Sequence, residues 1–196
     1  MAPEVRRRGS GRPPAGAAPV RDALLRSAAT HFSQYGYAGA STRAILADAG
    51  ATAPALYHHF ENKTGLYIAA AAAAQEHVLS TLKAAVSGRE AVMDRVSALL
   101  AAATALRREH PNVAMYLSVI QQDVSRHPEL DELASREAVF DDFWRSVVDS
   151  QTAPGTPIAL RAVVEGLLAV GGARVQIDDV VAAAHVLQRI TRDGLG

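Results

Sequence analysis

Apolar side chains recur at spacings of three and four residues along most of the chain, which predicts α-helices. Runs that alternate Val, Ile or Thr with polar residues, as β-strands require, are few. Glycine, proline and capping residues divide the pattern into about nine helices. They are predicted over residues 20–35, 42–49, 53–59, 64–86, 89–109, 111–126, 128–147 and 157–170, with a last one from Asp178 or Asp179. The predicted fold class is therefore all-α.

Composition narrows the class of protein further. The chain has 196 residues, of which 49% are hydrophobic and none is cysteine. Disulfides, thiol catalysis and cysteine-built zinc sites are thereby excluded, which fits a reducing cytoplasm. No apolar stretch reaches the ~18 residues of a membrane span, and the basic start lacks the apolar segment of a secretory signal. We expect a helical, cytoplasmic protein that does not enter a membrane.

The net charge of zero conceals an uneven distribution of charged residues. Residues 1–63 contain eight basic and four acidic side chains, so this part carries +4 and the remainder −4. Such asymmetry suggests that one end of the protein faces a polyanion. Residues 1–19 are rich in Arg, Gly, Pro and Ala without periodicity, which predicts a disordered basic arm. The arm either contacts DNA, through phosphates or the minor groove, or serves as a solubilising tail.

The two short helices predicted at 42–49 and 53–59 have the layout of a helix-turn-helix, whose second helix enters the major groove of DNA. Ser41 or Thr42 caps the first helix and Gly50 closes it. The spacing turns one apolar set inward: Ile45, Leu46, Leu56 and Phe60. It leaves another set outside: Thr42, Arg43, Thr52, Ala53, Tyr57, His58 and Lys63. The Tyr57 hydroxyl on its rigid ring and the Lys63 ammonium are groups that can bind DNA phosphates.

Several of these residues form an ordered motif that resembles a known family. The matching segments are Gly36-Tyr37, Ser41-Thr42, Ile45-Leu46, Asp48-Ala49-Gly50, Leu56-Tyr57-His58-His59-Phe60 and Lys63. Together they resemble the N-terminal signature of the TetR family of transcriptional regulators, over residues 20–68. The resemblance implies a three-helix DNA-binding head at 20–65 and a helical body at 66–196 for ligand binding and dimerisation. It implies neither enzymatic activity nor a cofactor.

The resemblance also assigns roles to individual side chains. Thr42 matches a threonine that caps the second helix and meets a phosphate, Thr52 opens the recognition helix, and Tyr57 and Lys63 match phosphate-binding residues. His58 stands at a position that varies within the family and contacts either the DNA backbone or the bases. His59 belongs to the family's His-Phe pair, whose role is more structural. Pro54 stands where glycine is frequent, and with no N–H donor it offers only apolar contacts, such as with a thymine methyl. The predicted DNA-binding set is Thr42, Arg43, Thr52, Ala53, Pro54, Tyr57, His58, His59 and Lys63.

The body carries no motif, so its predictions depend on hydrophobic stripes. Aromatic residues at helical spacing either line a ligand cavity or form simple core. The candidate ligand-binding residues are Tyr116, Ile120, Phe140, Phe143 and Trp144. The sequence shows no charge cluster in the body, which favours the apolar or amphipathic small molecules typical of the resembled family. Two final helices that need a partner predict a homodimer, through the apolar face Leu160, Val164, Leu167, Leu187 and Ile190.

These predictions together describe a repressor that binds a pseudo-palindromic operator in double-stranded DNA as a homodimer. In the plan of the resembled family, a small-molecule inducer tilts the long helix at 64–86 and releases the operator. Three alternatives remain open: a regulator without an effector, an activator, and an enzyme or purely structural helical dimer. We find no phosphate-cradling glycine loop, cysteine nucleophile or His-Glu zinc spacing. His58 and His59 are adjacent, so they point ~100° apart on a helix and predict no metal site.

Overall fold

The computed structural model of the chain describes residues 17–148 and 155–169, together with positions 178 and 182. These residues contain eight α-helices, one 3₁₀ segment and no strand, so the all-α class is confirmed. The elements are α1 (Ala17–Gly39), α2 (Thr42–Asp48), α3 (Ala53–Phe60), α4 (Lys63–Val86), α5 (Val92–Glu109), α6 (Pro111–Arg126), the 3₁₀ segment (Pro128–Arg136), α7 (Glu137–Val147) and α8 (Thr156–Ala169). The first sixteen residues of the predicted arm, and all but two positions of the predicted last helix, lie outside the described residues.

Two hydrophobic clusters form the core, and α4 contributes to both. The N-terminal cluster joins α1, α2, α3 and the first half of α4 to residues of α6 and the 3₁₀ segment, among them Tyr116 and Leu130. The C-terminal cluster joins the second half of α4 to α5, α7 and α8. The division predicted between residues 65 and 66 therefore falls in the first turn of a helix that crosses both clusters.

The predicted end of the first helix at Gly36 is a kink within α1, which continues to Gly39. Gly36 has φ 67° and ψ 178°, a conformation that only glycine adopts without strain. The backbone kinks there, and helical hydrogen bonding resumes as far as Gly39. The kink therefore sets the direction in which the chain leaves α1 toward α2.

The segment after Pro128 differs from the single helix predicted there. Residues 128–136 form a 3₁₀ helix, and α-helix begins only at Glu137. Leu130 and Leu133 are both buried, and three residues per turn place side chains at this spacing on one side. Val139, which was expected in the apolar stripe of that helix, is exposed.

The apolar face of α8 also differs from the prediction. Val164 and Leu167 are buried within this chain, and Leu160 packs against the same C-terminal cluster. The prediction that Val164 and Leu167 need a partner subunit is therefore wrong, because α8 packs on α5, α6 and α7 of the same chain, whereas Leu160 is only partly buried. Ile158 on the outer side of α8 is 71% exposed. Leu187 and Ile190 lie outside the described residues.

Within the described ranges, no helix combines the length and apolar character needed to cross a bilayer. No group of three or more His, Asp or Glu side chains in the same ranges comes together in a way that could hold a metal ion.

Candidate functional site

The turn between α2 and α3 is tight and held by its own hydrogen bonds. The Ser41 side chain caps α2 by accepting from the Ala44 N–H at 3.4 Å. The Ala51 N–H donates to the Leu46 carbonyl at 2.9 Å, and Gly50 has a φ of 60°. Of the two residues considered for the cap, Ser41 takes that position, so the capping role implied for Thr42 is wrong. Thr42 is the first residue of the helix instead.

The two sides of α3 differ as predicted. Leu56 and Phe60 are buried in the N-terminal cluster, whereas Tyr57 is 63% exposed. Thr52 occupies the N-cap position without a side-chain cap hydrogen bond, so its hydroxyl is not committed to the helix. The outward surface of α3 consists of Thr52, Ala53, Pro54, Tyr57 and His58, while His59 is partly buried.

Helix α1 holds the pair of short helices from behind. The buried Ser27 hydroxyl donates to the Ile45 carbonyl of α2 at 2.9 Å. His31 lies 3.8 Å from Asp48 at the end of α2. The Arg21 guanidinium lies over the Phe60 ring of α3, 5.6 Å from its centroid. These contacts fix α2 and α3 relative to α1, so the outward side of α3 is presented on a rigid support.

The joint between α3 and α4 permits no side chain at position 65. Asn62 caps α4 by accepting from the Gly65 N–H at 2.8 Å. A Cβ atom placed on Gly65 would lie 2.1 Å from the Phe60 carbonyl oxygen, a distance that forces the backbone to move. Glu61 between the two helices has a φ of 64°. The close approach at Gly65 therefore sets the angle between α3 and α4.

Lys63 is less exposed than the predicted arrangement of outward residues requires. Its Nζ donates to the Ala38 carbonyl at 3.2 Å and lies 5.2 Å from the centre of the Tyr37 ring. Partial burial lowers the pKa of the Lys63 ammonium, and the Asp123 carboxylate opposes this effect. An ammonium has three donors, so the bond to Ala38 leaves capacity for a phosphate. The side chain is thus tethered at the edge of the head.

Asp123 of α6 connects the body to the head through a buried carboxylate that is only 6% exposed. Its Oδ2 accepts from the Tyr37 N–H at 2.7 Å and from the Tyr67 hydroxyl at 2.8 Å. Burial and the hydrogen bond to Asp123 raise the pKa of Tyr67. We call this group, Asp123 with Tyr37 and Tyr67, the α6 bridge. It joins α6 to the end of α1 and to α4, and sequence analysis did not find it.

A cavity of about 220 Å³ lies between α4, α6, α7 and α8. A second hollow of about 410 Å³ shares four lining residues with it. Two of the predicted ligand-binding residues line these spaces, Phe140 the first and Ile120 the second. The other three line neither: Tyr116 packs in the N-terminal cluster, and Phe143 and Trp144 pack in the C-terminal cluster.

Arg161 of α8 forms a charge cluster on the cavity wall. Its Nε donates to Glu165 at 2.8 Å, and its two terminal nitrogens donate to Asp141 at 2.7 Å and Glu137 at 2.5 Å. Burial opposes the charged form, but the bonds to Glu137 and Glu165 outweigh it and raise the pKa of Arg161. The expectation that the body has no charge cluster is therefore wrong. Within this cluster only Arg161 and Glu165 are oppositely charged residues at a helical spacing that the sequence could reveal.

The fold and part of the sequence are shared with known proteins. Residues 24–70 match the family model described as bacterial regulatory proteins, tetR family. A TetR transcriptional regulator from Chloroflexus aurantiacus is 18% identical, with a TM-score of 0.69 over 89% of this chain and 94% of that one. AibR, solved with isovaleryl coenzyme A and operator DNA, is 18% identical, with a TM-score of 0.69 over 87% of this chain and 97% of that one.

A further solved structure has somewhat higher sequence identity. The multidrug binding protein EbrR, solved with imidazole, is 26% identical, with a TM-score of 0.58 over 87% of this chain and 88% of that one. No curated protein sequence matches the chain. The structural likenesses cover head and body together, whereas the match to the family model covers the head and the start of α4.

Proposed function

We propose, from the match of residues 24–70 to the tetR family model and from the shared fold, that this chain is a TetR-family regulator and a ligand-responsive transcriptional repressor. It binds a pseudo-palindromic operator as a homodimer and leaves it when a small molecule occupies the body. In this proposal residues 20–65 are the DNA-binding domain, 66–196 are the ligand-binding and dimerisation domain, and 1–19 are a basic arm. Since its partner is chromosomal DNA, the protein acts in the cytoplasm.

The outward side of α3 is the observation that carries this proposal. The helix has eight residues, and an α-helix with its side chains is ~10–12 Å across, which fits the ~12 Å width of the major groove. Ala53 and Pro54 at its start are exposed and small, so the helix backbone can approach the groove wall closely. Tyr57, 63% exposed on the same helix, is a large aromatic side chain with no place in the protein core.

Contacts to phosphates position the head on the duplex. The Tyr57 hydroxyl and the uncommitted Thr52 hydroxyl supply hydrogen bonds, and the exposed Arg43 supplies charge. Thr42, the first residue of α2, adds a further hydroxyl to this set. Lys63 reaches a phosphate from its tether on the Ala38 carbonyl. His58 and Pro54 face the bases, with His59 supporting the helix from the partly buried side.

Dimerisation is assigned to the outer side of α8, because its inner side is already covered. Ile158, Ala159, Ala162 and Ala169 are exposed there, and they form a surface of small and apolar residues. Two-fold symmetry then presents two α3 helices to half-sites ~34–36 Å apart, one turn of DNA. The part of the predicted interface that includes Leu187 and Ile190 is retained in the proposal.

Effector control is assigned to the cavity and to the α6 bridge. Ile120, Gln121 and Val124 of α6 line the second hollow, and Asp123 lies between them in the sequence. A ligand that displaces this turn of α6 also displaces the carboxylate that binds the Tyr37 N–H beside α2. AibR was solved with both an acyl coenzyme A and operator DNA, which supports ligand control on this fold. Only a ligand that binds the two arrangements unequally shifts the equilibrium.

The proposal is tested by DNA binding of the full chain. Duplexes that bind are selected from a random-sequence pool, and affinity for the selected duplex is measured by fluorescence anisotropy at several salt concentrations. We expect affinity that falls steeply with salt and a symmetric selected sequence. Tyr57→Phe should weaken binding by about 1.5–3 kcal/mol per half-site, through loss of one charge-assisted hydrogen bond. Tyr35→Phe, on the exposed surface of α1, is the matched control and should bind like the wild type.

The possible outcomes separate the proposal from its alternatives. Equal affinities of Tyr57→Phe and wild type would remove Tyr57 from the interface. Absence of salt-dependent binding to any duplex would remove the regulator assignment as a whole. A selected duplex that stays bound with every compound of a chemical library present would leave a regulator without an effector. Increased transcription from a promoter that carries the selected sequence would identify an activator.

A further inference from the structure

The polar wall of the body cavity has a definite charge. Arg161 is only 16% exposed, and each of its three nitrogen atoms donates to a different carboxylate. Glu137, Asp141 and Glu165 outnumber it three to one, so these four side chains together carry a charge of −2. Glu137, Glu165 and Arg161 all line the cavity. The cavity wall is therefore acidic, although it contains an arginine.

The remaining cavity wall is mostly apolar. Leu117, Phe140 and Leu168 line one side, and Gln75, Ser118 and Gln121 add neutral hydrogen-bonding groups. Arg136 contacts this wall at Gln75, to which its Nε donates at 2.8 Å, while its guanidinium faces Glu76 at 4.0 Å. Arg136 is therefore directed to groups of its own and does not neutralise the carboxylates around Arg161.

This arrangement discriminates between ligand charges. An anionic ligand would have to displace a carboxylate from Arg161 or lie beside Glu137 and Glu165, where like charges repel. A cationic head group finds carboxylates, each of which has one oxygen engaged by Arg161 and can accept further hydrogen bonds. The apolar side of the cavity takes a hydrocarbon or aromatic group attached to that cation.

We propose that the effector of this protein is a cationic amphiphile: a protonated amine joined to a compact apolar group, with the ammonium held by Glu137 and Glu165. The inference rests on the proposed function, because it names the chemical class that would occupy the regulatory cavity. It replaces the apolar or amphipathic ligand expected from the sequence with an amphiphile of stated charge.

A matched series of compounds tests the charge directly. 4-Phenylbutylamine, 4-phenylbutan-1-ol and 4-phenylbutanoate share one skeleton and carry a positive, zero and negative charge at pH 7. Isothermal titration calorimetry with the full chain should give at least tenfold tighter binding of the amine than of the alcohol, the equivalent of one charge-assisted hydrogen bond. The carboxylate should bind more weakly than the alcohol.

Variants locate the effect on the cavity wall. Glu165→Gln and Glu137→Gln should each weaken the amine about tenfold and leave the alcohol unchanged. Asp142→Asn on the exposed side of α7, where Asp142 pairs with Arg145, is the matched control and should leave all three compounds unchanged. Circular dichroism of each variant verifies the fold, and two separate glutamate variants keep the test decisive should one of them not fold.

The result that overturns the inference is carboxylate binding as tight as that of the amine, undiminished amine binding in both glutamate variants, or no amine binding at all. Anisotropy with the selected duplex is measured in parallel. Salt-dependent DNA binding that persists while the amine fails would remove only the effector class. If the wild type binds no DNA duplex in a salt-dependent manner, the proposed function is refuted instead.

Discussion

Removal of the Asp123 carboxylate should destabilise the protein, because it leaves two donors without their acceptor. Asp123→Ala deletes the atom that accepts from the Tyr37 N–H at 2.7 Å and from the Tyr67 hydroxyl at 2.8 Å. Hydrogen bonds to a charged group contribute about 1.5–3 kcal/mol each. Two of them give about 3–6 kcal/mol before the desolvation of the carboxylate is considered.

Desolvation reduces the expected effect. A carboxylate that is 6% exposed loses most of its hydration on folding, and alanine avoids that penalty. We therefore expect a net loss of about 2–4 kcal/mol in the free energy of unfolding for Asp123→Ala. Tyr67→Phe removes only one of the two bonds and should cost roughly half as much. Asp131→Ala, at an exposed position of the 3₁₀ segment, is the control and should change stability by less than about 0.5 kcal/mol.

Urea unfolding followed by circular dichroism measures these free energies. If the α6 bridge also orients the head, Asp123→Ala should weaken binding to the selected duplex under conditions where the variant is fully folded. A loss of stability below about 1 kcal/mol in Asp123→Ala would refute the energetic reasoning, since it is less than a single charged hydrogen bond. A stability loss with unchanged DNA affinity would refute the orienting role alone.

Three further predictions concern the joint, the tethered lysine and the buried tyrosines. Gly65→Ala should cost about 1–3 kcal/mol in urea unfolding, because its Cβ would lie 2.1 Å from a carbonyl oxygen of α3, and it should weaken DNA binding by tilting α3. Lys63→Ala should weaken binding to every duplex and reduce the salt slope by about 0.9 per half-site in anisotropy titrations. The raised pKa values of Tyr67 and Tyr116 mean that the folded state retains their protons where the unfolded state loses them. These two groups should therefore leave the free energy of unfolding unaffected below about pH 10. Above that pH the free energy of unfolding should decrease by up to about 1.4 kcal/mol per pH unit for each tyrosine. Tyr67→Phe should remove part of this decrease.

Two control variants and three contradicting results complete these predictions. Gly166 has open space around its Cβ position, so Gly166→Ala should not destabilise α8. Lys83 lies at the far end of α4, and Lys83→Ala should leave the salt slope unchanged. Unaltered stability of Gly65→Ala would mean that the α3–α4 joint is not tight. A wild-type salt slope in Lys63→Ala would exclude a phosphate contact there, and an alkaline stability profile of Tyr67→Phe identical to wild type would refute the assignment to that proton.

The head was predictable because its determinants are local. Gly36, Gly50 and Pro54 are conformational signals readable from sequence, and each acts at its own position in the structure. The inward and outward sides of α3 follow from helical periodicity alone. The cap on α2 required a choice between neighbours, Ser41 and Thr42, that only the geometry of the turn decides.

Interactions between distant segments were not predictable from the same patterns. Asp123 bonds to Tyr37 across 86 positions of the chain, and Arg161 bonds to Glu137 across 24. No periodicity relates such pairs, because tertiary packing brings them together. Val164 and Leu167 show a related limit of sequence patterns. An apolar stripe indicates that a helix face is buried, but only packing decides whether the covering helix belongs to the same chain or to a partner.

The entry of α3 into the major groove is tested most directly by dimethyl sulfate footprinting on the selected duplex. The reagent methylates guanine N7 in the major groove and adenine N3 in the minor groove, so it distinguishes the two surfaces of DNA. We predict protection of guanine N7 in two clusters about one helical turn, or 10–10.5 base pairs, apart, and loss of that protection in Tyr57→Phe at limiting protein concentration. Unprotected guanine N7 on a fully bound duplex would contradict the placement of α3 in the groove.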